Sequence, residues 1–500
     1  MEKELNIIKT SINLVPDGIN PSPDYYCTWQ TQLYATSDGK PEKQREIIGE
    51  KGLFGKEKPY GWAYFYEEAR KDLFFVMDDS WDVSLSGDEG DYGSLVLHAQ
   101  KFPEATKDAK NNEEALKRLS DKIKALGWKG LGGWVCAQES EKHGKGKTPE
   151  EYWTEKMKES ENGGFSYWKV DWGKKGHDAA FRKMLVDIQR KISSSLIVEQ
   201  AMTQEVIPYA DTFRTYDVPA IMSIPMTMQK LSDIINLGLS GKCIINCEDE
   251  VYIAAACGFS MGVMRHPYVG NFANGKADMS FPAFHRNLKS KMHEVLRAVR
   301  WHRIAPAFGI GCTENRVSAE VLEDSWLIQN VADELEAWWL DVSTVRDFIK
   351  EGVLLKSAPA QIARNTPFAL VSADEEGRVP FIVTAKNPNG AISVATLGRT
   401  ENRTYGIPRC DVSLDAQKNT PIGVFGEYKS LTLRGDFDGA LAVLIQDLAD
   451  SIAYDVTELV TVKRDAVILS GELISRIGTL TNPVGDTSEP AVVIEIVSIV

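Results

Sequence analysis

Short apolar runs alternate with amphipathic stretches through the first three-fifths of the chain, at the intervals that successive βα units require. The candidate strands are Tyr25–Leu33, Asp72–Met77, Gly130–Cys136, Phe165–Asp171, Leu196–Gln200, Thr212–Tyr216, Lys242–Cys247 and Gly262–Arg265. Between them lie helical segments such as Asn112–Leu126 and His177–Ile192, the latter with Phe181, Met184, Leu185 and Ile188 at helical spacing. Phe284–Ile304 reads as a long closing helix, and Lys-, Glu- and Gly-rich Glu139–Gly164 as a solvated insertion after the third strand. Eight such strands suggest a closed (β/α)8 TIM barrel. From about Cys312 the pattern changes to alternating Val, Thr, Ile and Leu broken by turns such as Asn387-Pro388-Asn389-Gly390, which is all-β behaviour. A chain of 500 residues exceeds what one core usually serves. The expectation is therefore an α/β barrel over residues 1–311 and an antiparallel β-sandwich domain over 312–500.

Composition narrows the partners. The formal net charge of -14 argues against nucleic acid, because phosphate binding needs a basic surface. No apolar run approaches the roughly 18 residues that span a bilayer, so no membrane partner is expected. The seven cysteines (27, 136, 243, 247, 257, 312 and 410) are scattered and odd in number, which reads as buried free thiols rather than a disulfide framework. Cys243 and Cys247 lack companions at zinc-site spacing, so no metal is expected. The first residues carry no basic region followed by an apolar one, which implies a cytoplasmic protein, or a periplasmic or secreted one whose leader has been removed.

Catalytic groups of barrel enzymes sit at the carboxyl ends of the strands, and three strands here end in carboxylates. The second runs into Asp78-Asp79-Ser80-Trp81, paired carboxylates suited to sugar hydroxyls, or an ordinary Asp-rich turn. The fourth contains Lys169-Val170-Asp171, where period-2 alternation puts Lys169 and Asp171 on one face. A lysine beside that carboxylate would keep it ionised, as a nucleophile must be; a structural Lys–Asp pair is the alternative. The sixth supplies Arg214-Thr215-Tyr216-Asp217. If Asp171 and Asp217 face each other at about 5 Å, they have the geometry of a retaining glycosidase. Asn246-Cys247-Glu248-Asp249 ends the seventh strand and could add a binding carboxylate, with Asp249 expected to cap a helix.

Asp78-Asp79-x-Trp81, Lys169-x-Asp171 and Arg214-x-x-Asp217, in that order, resemble the α-galactosidase/melibiase group of retaining glycoside hydrolases, clan D, families 27 and 36. Lys101-Phe102-Pro103 is similar to the group's Phe-Pro step, and Leu126–Trp134 to its third-strand segment. The resemblance implies a catalytic barrel followed by a β-sandwich. It also implies Asp171 as nucleophile, Asp217 as acid/base, and Asp78 and Asp79 on the hydroxyls of carbons 4 and 6. Lys169 and Arg214 would anchor further hydroxyls, and Glu199 would read the hydroxyl on carbon 2. Trp29 on the first strand and Trp81 would serve as apolar walls, and Trp134 would also bind substrate. The implied partner is an oligosaccharide or glycoside, the implied mechanism needs no cofactor, and a homo-oligomer is compatible with it. Two departures stand out: the family usually has one more residue between the Arg and the acid/base Asp, and Glu199-Gln200-Ala201 lacks the usual Trp-Pro.

Two other readings compete. Gly258-Phe259-Ser260-Met261-Gly262 satisfies the nucleophile-elbow pattern of serine hydrolases, with Asp278 and His285 downstream in suitable order. Against it, Pro267 interrupts the helix that should follow Ser260, and Ala254–Cys257 looks helical rather than extended. A carbohydrate-binding barrel without catalysis is the second alternative.

Overall fold

The computed structural model describes residues 7–36, 46–192, 195–215, 223–268, 288–312, 314–327, 353–401 and 404–499. The eight expected runs form the strands of a parallel barrel: β1 (Tyr25–Cys27), β2 (Phe74–Met77), β3 (Gly130–Val135), β4 (Phe165–Val170), β5 (Ile197–Gln200), β6 (Thr212–Arg214), β7 (Ile244–Asn246) and β8 (Gly262–Val263). They pair in chain order, and β8 returns to β1 through Tyr25–Gly262 and Tyr26–Val263. The last seam is closed by a parallel bridge between Asn246 and Ser260, where Ser260 N donates to Ile245 O and Cys247 N donates to Ser260 O, each at 2.9 Å.

Helices α1 (Trp29–Thr36), α2 (Asn112–Ala125), α3 (Pro149–Asn162), α4 (Ala179–Ile192), α5 (Ser223–Asn236), α6 (Val251–Cys257) and α7 (Met292–Ile304) surround these strands. Four local expectations are corrected. The first strand stops at Cys27, because Trp29 already opens α1, where Gln32 N donates to Thr28 O at 2.8 Å. The supposed insertion contains α3, a barrel helix. Thr148 and Glu151 form its capping box, Pro149 sits at its first turn, and Tyr152, Trp153 and Met157 are buried. Exposed Glu150, Glu151, Glu155 and Lys158 on its outer face carry part of the Lys- and Glu-rich texture, and the loop before Thr148 carries the rest. The closing helix begins at Met292, after a short turn at Leu288–Ser290; residues 284–287 lie outside the described residues. Finally, Asp249 caps no helix, since Glu250 holds that position; its carboxylate accepts Met264 N at 2.9 Å and pairs with Arg265 at 3.1 Å.

Beyond the barrel, two sheets face each other. One has nine strands and runs from Ile8–Lys9 at one edge to Asn315–Val317 at the other; the second has five, centred on Ser430–Arg434. Pairing is mostly antiparallel, with three parallel pairs. Val394, Val424, Val443 and Ile494 of the larger sheet meet Val412, Leu431, Val467 and Leu469 of the smaller in one core. The larger sheet's other face packs on the barrel. Trp301 of α7 sits against Gly423, where any Cβ would lie 2.9 Å from the indole, and edge-on to Phe425. Beside it Arg297 forks onto Asp447 at 2.8 and 2.9 Å, both side chains fully buried. Burial of the ion pair is tolerated because both partners are satisfied by paired hydrogen bonds.

The six cysteines with described side chains are free and buried. No helix among the described residues is long and apolar enough to cross a membrane.

Candidate active site

Alternation along the strands decides which side chains enter the barrel. On β4, Trp168 turns outward to Trp153 of α3, which in turn meets Phe181 of α4, so Tyr167, Lys169 and, just past the strand end, Asp171 turn inward. Asp171 is 5% exposed. Its Oδ1 accepts from Arg214 NH2 at 2.6 Å and its Oδ2 from Trp134 Nε1 at 3.0 Å. Its backbone is fixed too: the amide donates to Val135 O at 3.0 Å, and the carbonyl accepts from Arg182 NH2 at 2.7 Å.

Arg214, fully buried on β6, serves three carboxylates. Besides Asp171 it reaches Glu199 Oε1 from NH1 at 3.1 Å and Glu248 Oε1 from Nε at 2.9 Å. Burial works against its charge, but Asp171, Glu248 and Glu199 outweigh it and hold the guanidinium well above the usual arginine value. Glu199 also accepts Tyr25 OH at 3.1 Å and Tyr167 OH at 2.7 Å. Burial pushes its carboxyl upward, with Arg214 and the two phenols pulling the other way.

The expected pairing of Lys169 with Asp171 is not what the barrel builds. Lys169 Nζ lies 2.8 Å from Asp78 Oδ2, an ion pair buried at the ends of β4 and β2. Sharing a strand face puts two residues on one side of the sheet, but a lysine's length carries its ammonium across the barrel to another strand. The cation on Asp171 is Arg214. Asp78 is held on all sides: Oδ2 also accepts Cys27 Sγ at 2.8 Å, Oδ1 accepts Asp79 N at 2.8 Å, and its own amide donates to Thr28 Oγ1 at 2.9 Å. Asp79, 6% exposed, accepts Ser80 Oγ at 2.7 Å.

The three tryptophans differ. Trp81 is fully buried against Phe165, with its Nε1 on Trp134 O at 2.8 Å, so it props β3 from behind. Trp134 is also buried, but its N–H is spent on Asp171. Trp29, at the start of α1, is 8% exposed beside Tyr25, Cys27 and Tyr167. Asp217 lies outside the described residues.

Several groups outside the expected site residues also touch this centre. Tyr25, Cys27 and Tyr167 had a signal, since each is two residues from another inward-facing position. Glu248 stood in a motif read as a possible binding carboxylate, and it instead pairs with Arg214. Arg182, whose guanidinium also binds Gln200 Oε1 at 2.8 Å, comes from α4 and had no strand periodicity to reveal it.

Ser260 is wholly buried in the seam between β7 and β8. A nucleophile elbow runs from strand to helix. Here helix α6 ends at Gly258, at φ +67°, and a strand follows. Asp278 and His285 lie outside the described residues.

No protein-family model matches the chain, and no curated protein sequence matches it. Among solved structures, two of a GH36 α-galactosidase from Geobacillus stearothermophilus are similar at 12% identity. One covers 61% of this chain and 45% of that one with a TM-score of 0.31, and the other 95% and 56% with 0.34. An α-amylase from Geobacillus thermoleovorans, solved with acarbose, is similar at 8% identity over 96% and 99% of the two chains, with a TM-score of 0.40. The chain thus spans about half the length of the first relative. At such scores these likenesses decide neither reaction nor substrate.

Proposed function

We propose that the chain is a retaining α-glycoside hydrolase of α-galactosidase-like specificity, with Asp171 as nucleophile and Asp217 as acid/base. One observation carries the reading: Asp171 stands at the carboxyl end of a barrel strand, nearly buried, with a donor on each oxygen and Asp78 and Asp79 two strands away. A carboxylate oxygen has two lone pairs, so Arg214 and Trp134 orient Asp171 and leave it a lone pair for bonding.

In this scheme Asp171 attacks the anomeric carbon, and the bond from that carbon to the leaving oxygen breaks while Asp217 gives that oxygen its proton. Water then attacks the same carbon, returns a proton to Asp217 and frees the Asp171 carboxylate. Two inversions leave the configuration unchanged. Asp78 and Asp79 take the hydroxyls on carbons 4 and 6, with Lys169 and Cys27 orienting Asp78. Glu199 and Glu248 act through Arg214. The substrate is an oligosaccharide or glycoside, the scheme calls for no metal or organic cofactor, and the barrel within residues 1–311 forms the catalytic unit, supported by a sandwich of residues 312–500 that the edge strand Ile8–Lys9 joins.

The test is a screen of aryl α- and β-galactosides on the wild type and Asp171→Asn. Turnover of the α-anomer, lost in the mutant and giving α-galactose first, is expected. Undiminished hydrolysis by the mutant, or a β-configured first product, overturns the proposal.

A further inference from the structure

We infer that Trp172 is the stacking platform for the group that leaves, so that the site favours a sugar over a small leaving group; this rests on the reading of Asp171 as nucleophile. Trp172 follows Asp171 directly. Its carbonyl oxygen accepts Ala137 N at 2.8 Å, clamping the loop after β4 onto the loop after β3. Gly173, at φ +147°, makes that clamp fit, because any Cβ there would lie 2.7 Å from Ala137 N. The backbone that carries the indole is therefore pinned on both sides, with Asp171 N donating to Val135 O at 3.0 Å before it.

Its ring lies 5.2 Å from Trp134 and 5.2 Å from Tyr92, centre to centre, and Trp134 and Tyr92 are 6.0 Å apart. Trp134 holds Asp171, while Tyr92 OH lies 3.2 Å from Ser80 Oγ, which donates to Asp79. The three rings thus join the two carboxylate centres in one aromatic cluster. Trp134 is fully buried and Tyr92 is 5% exposed, whereas Trp172 keeps part of its surface outside the core. Asp78, Asp79 and Asp171 lie deep, at 2 to 6% exposure, and receive the ring that is cleaved off. A rigid, partly uncovered indole at loop level beside them suits the flat apolar face of the next ring outward. In an enzyme that removes terminal sugars, that next ring belongs to the leaving group.

Two substrates sharing one glycone separate this role from the chemistry: α-galactosyl fluoride, whose leaving group is a single atom, and melibiose, in which it is glucose. In Trp172→Ala, kcat/KM for melibiose should fall by about tenfold and that for the fluoride should stay within about twofold of wild type. The loss should fall on KM, because a stacked leaving ring is bound alike in ground and transition states. Trp172→Tyr should recover melibiose turnover, and Trp172→Leu, which keeps bulk without a ring face, should not. Equal losses on both substrates, or unchanged melibiose turnover in the Ala and Leu variants, overturn the inference. If the wild type turns over neither substrate, the α-galactosidase reading itself has failed, and this inference with it.

Discussion

Arg214 donates to Asp171 Oδ1 at 2.6 Å, across the barrel from β6 to β4, and the same guanidinium holds Glu199 and Glu248. The lysine nearest to Asp171 along the chain is committed elsewhere, to Asp78. Each of the two carboxylate centres thus has its own cation.

Removing that guanidinium leaves three buried carboxylates without their shared partner. Arg214→Met should destabilise the fold by about 3–5 kcal/mol, the cost of breaking a buried ion pair from one side. Arg214→Lys should recover only part of it, because one ammonium cannot fork onto three acids. Urea unfolding of the three proteins checks this; equal midpoints would show that the cluster does not depend on the guanidinium.

Trp134→Phe deletes the N–H that reaches Asp171 Oδ2 and keeps most of the ring. A hydrogen bond to a charged group is worth about 1.5–3 kcal/mol, so kcat should fall roughly ten- to a hundredfold. Steady-state kinetics on an α-galactoside, with circular dichroism to establish an intact fold, measure it. An unchanged kcat would remove Trp134 from the positioning of Asp171.

Asp82 is fully buried, and burial raises its carboxyl from 3.8 to about 6. The folded state therefore holds this proton more tightly than the unfolded chain. The resulting stability is complete below the unfolded value and is lost as pH rises through the folded one. Asp82→Asn, which carries no charge to desolvate, should gain on the wild type by about 2 kcal/mol between pH 4 and pH 7. Chemical denaturation at the two pH values tests this, and a pH-independent difference would refute it.

Ser260 should be dispensable for catalysis. Its backbone closes the barrel seam and its hydroxyl adds only a long hydrogen bond to Ile245 O at 3.5 Å, so Ser260→Ala should keep wild-type kcat/KM and lie within about 1 kcal/mol in stability. Fluorophosphonate reagents should leave the native protein unlabelled. Stoichiometric labelling at Ser260 with loss of activity would restore the serine-hydrolase reading.

The barrel strands were readable because each is a short apolar run between helical segments, and alternation alone turned Asp171 inward. What alternation lacks is reach. It placed Lys169 and Asp171 on one face, yet which carboxylate the ammonium finds depends on β2 lying opposite, a relation between segments some ninety residues apart.

Local signals were also outweighed by composition. Thr148-Pro149-Glu150-Glu151 carries a helix start in full, cap, first-turn proline and reciprocal glutamate, inside a stretch whose Lys, Glu and Gly suggested solvent. Trp29 failed the other way, since the alternation Cys27-Thr28-Trp29-Gln30 reads on as a strand and only the backbone reveals the turn at Thr28. Arg182 and Glu248 meet Asp171 through its carbonyl and through Arg214, contacts that only the closed barrel assembles.

The strand Ile8–Lys9 pairs with Tyr454–Asp455, and Thr10 and Ile12 exchange further backbone hydrogen bonds with Ala453. The two partners bracket the whole barrel in the chain, so this edge of the large sheet cannot form during synthesis until the barrel and most of the sandwich have emerged. It closes a loop of several hundred residues, an entropic cost that grows only with the logarithm of loop length. Completion of this edge is thus set to be a late event in folding, and the residues just before β1 act as a tether between the barrel's first strand and a sheet built almost entirely from the other end of the chain.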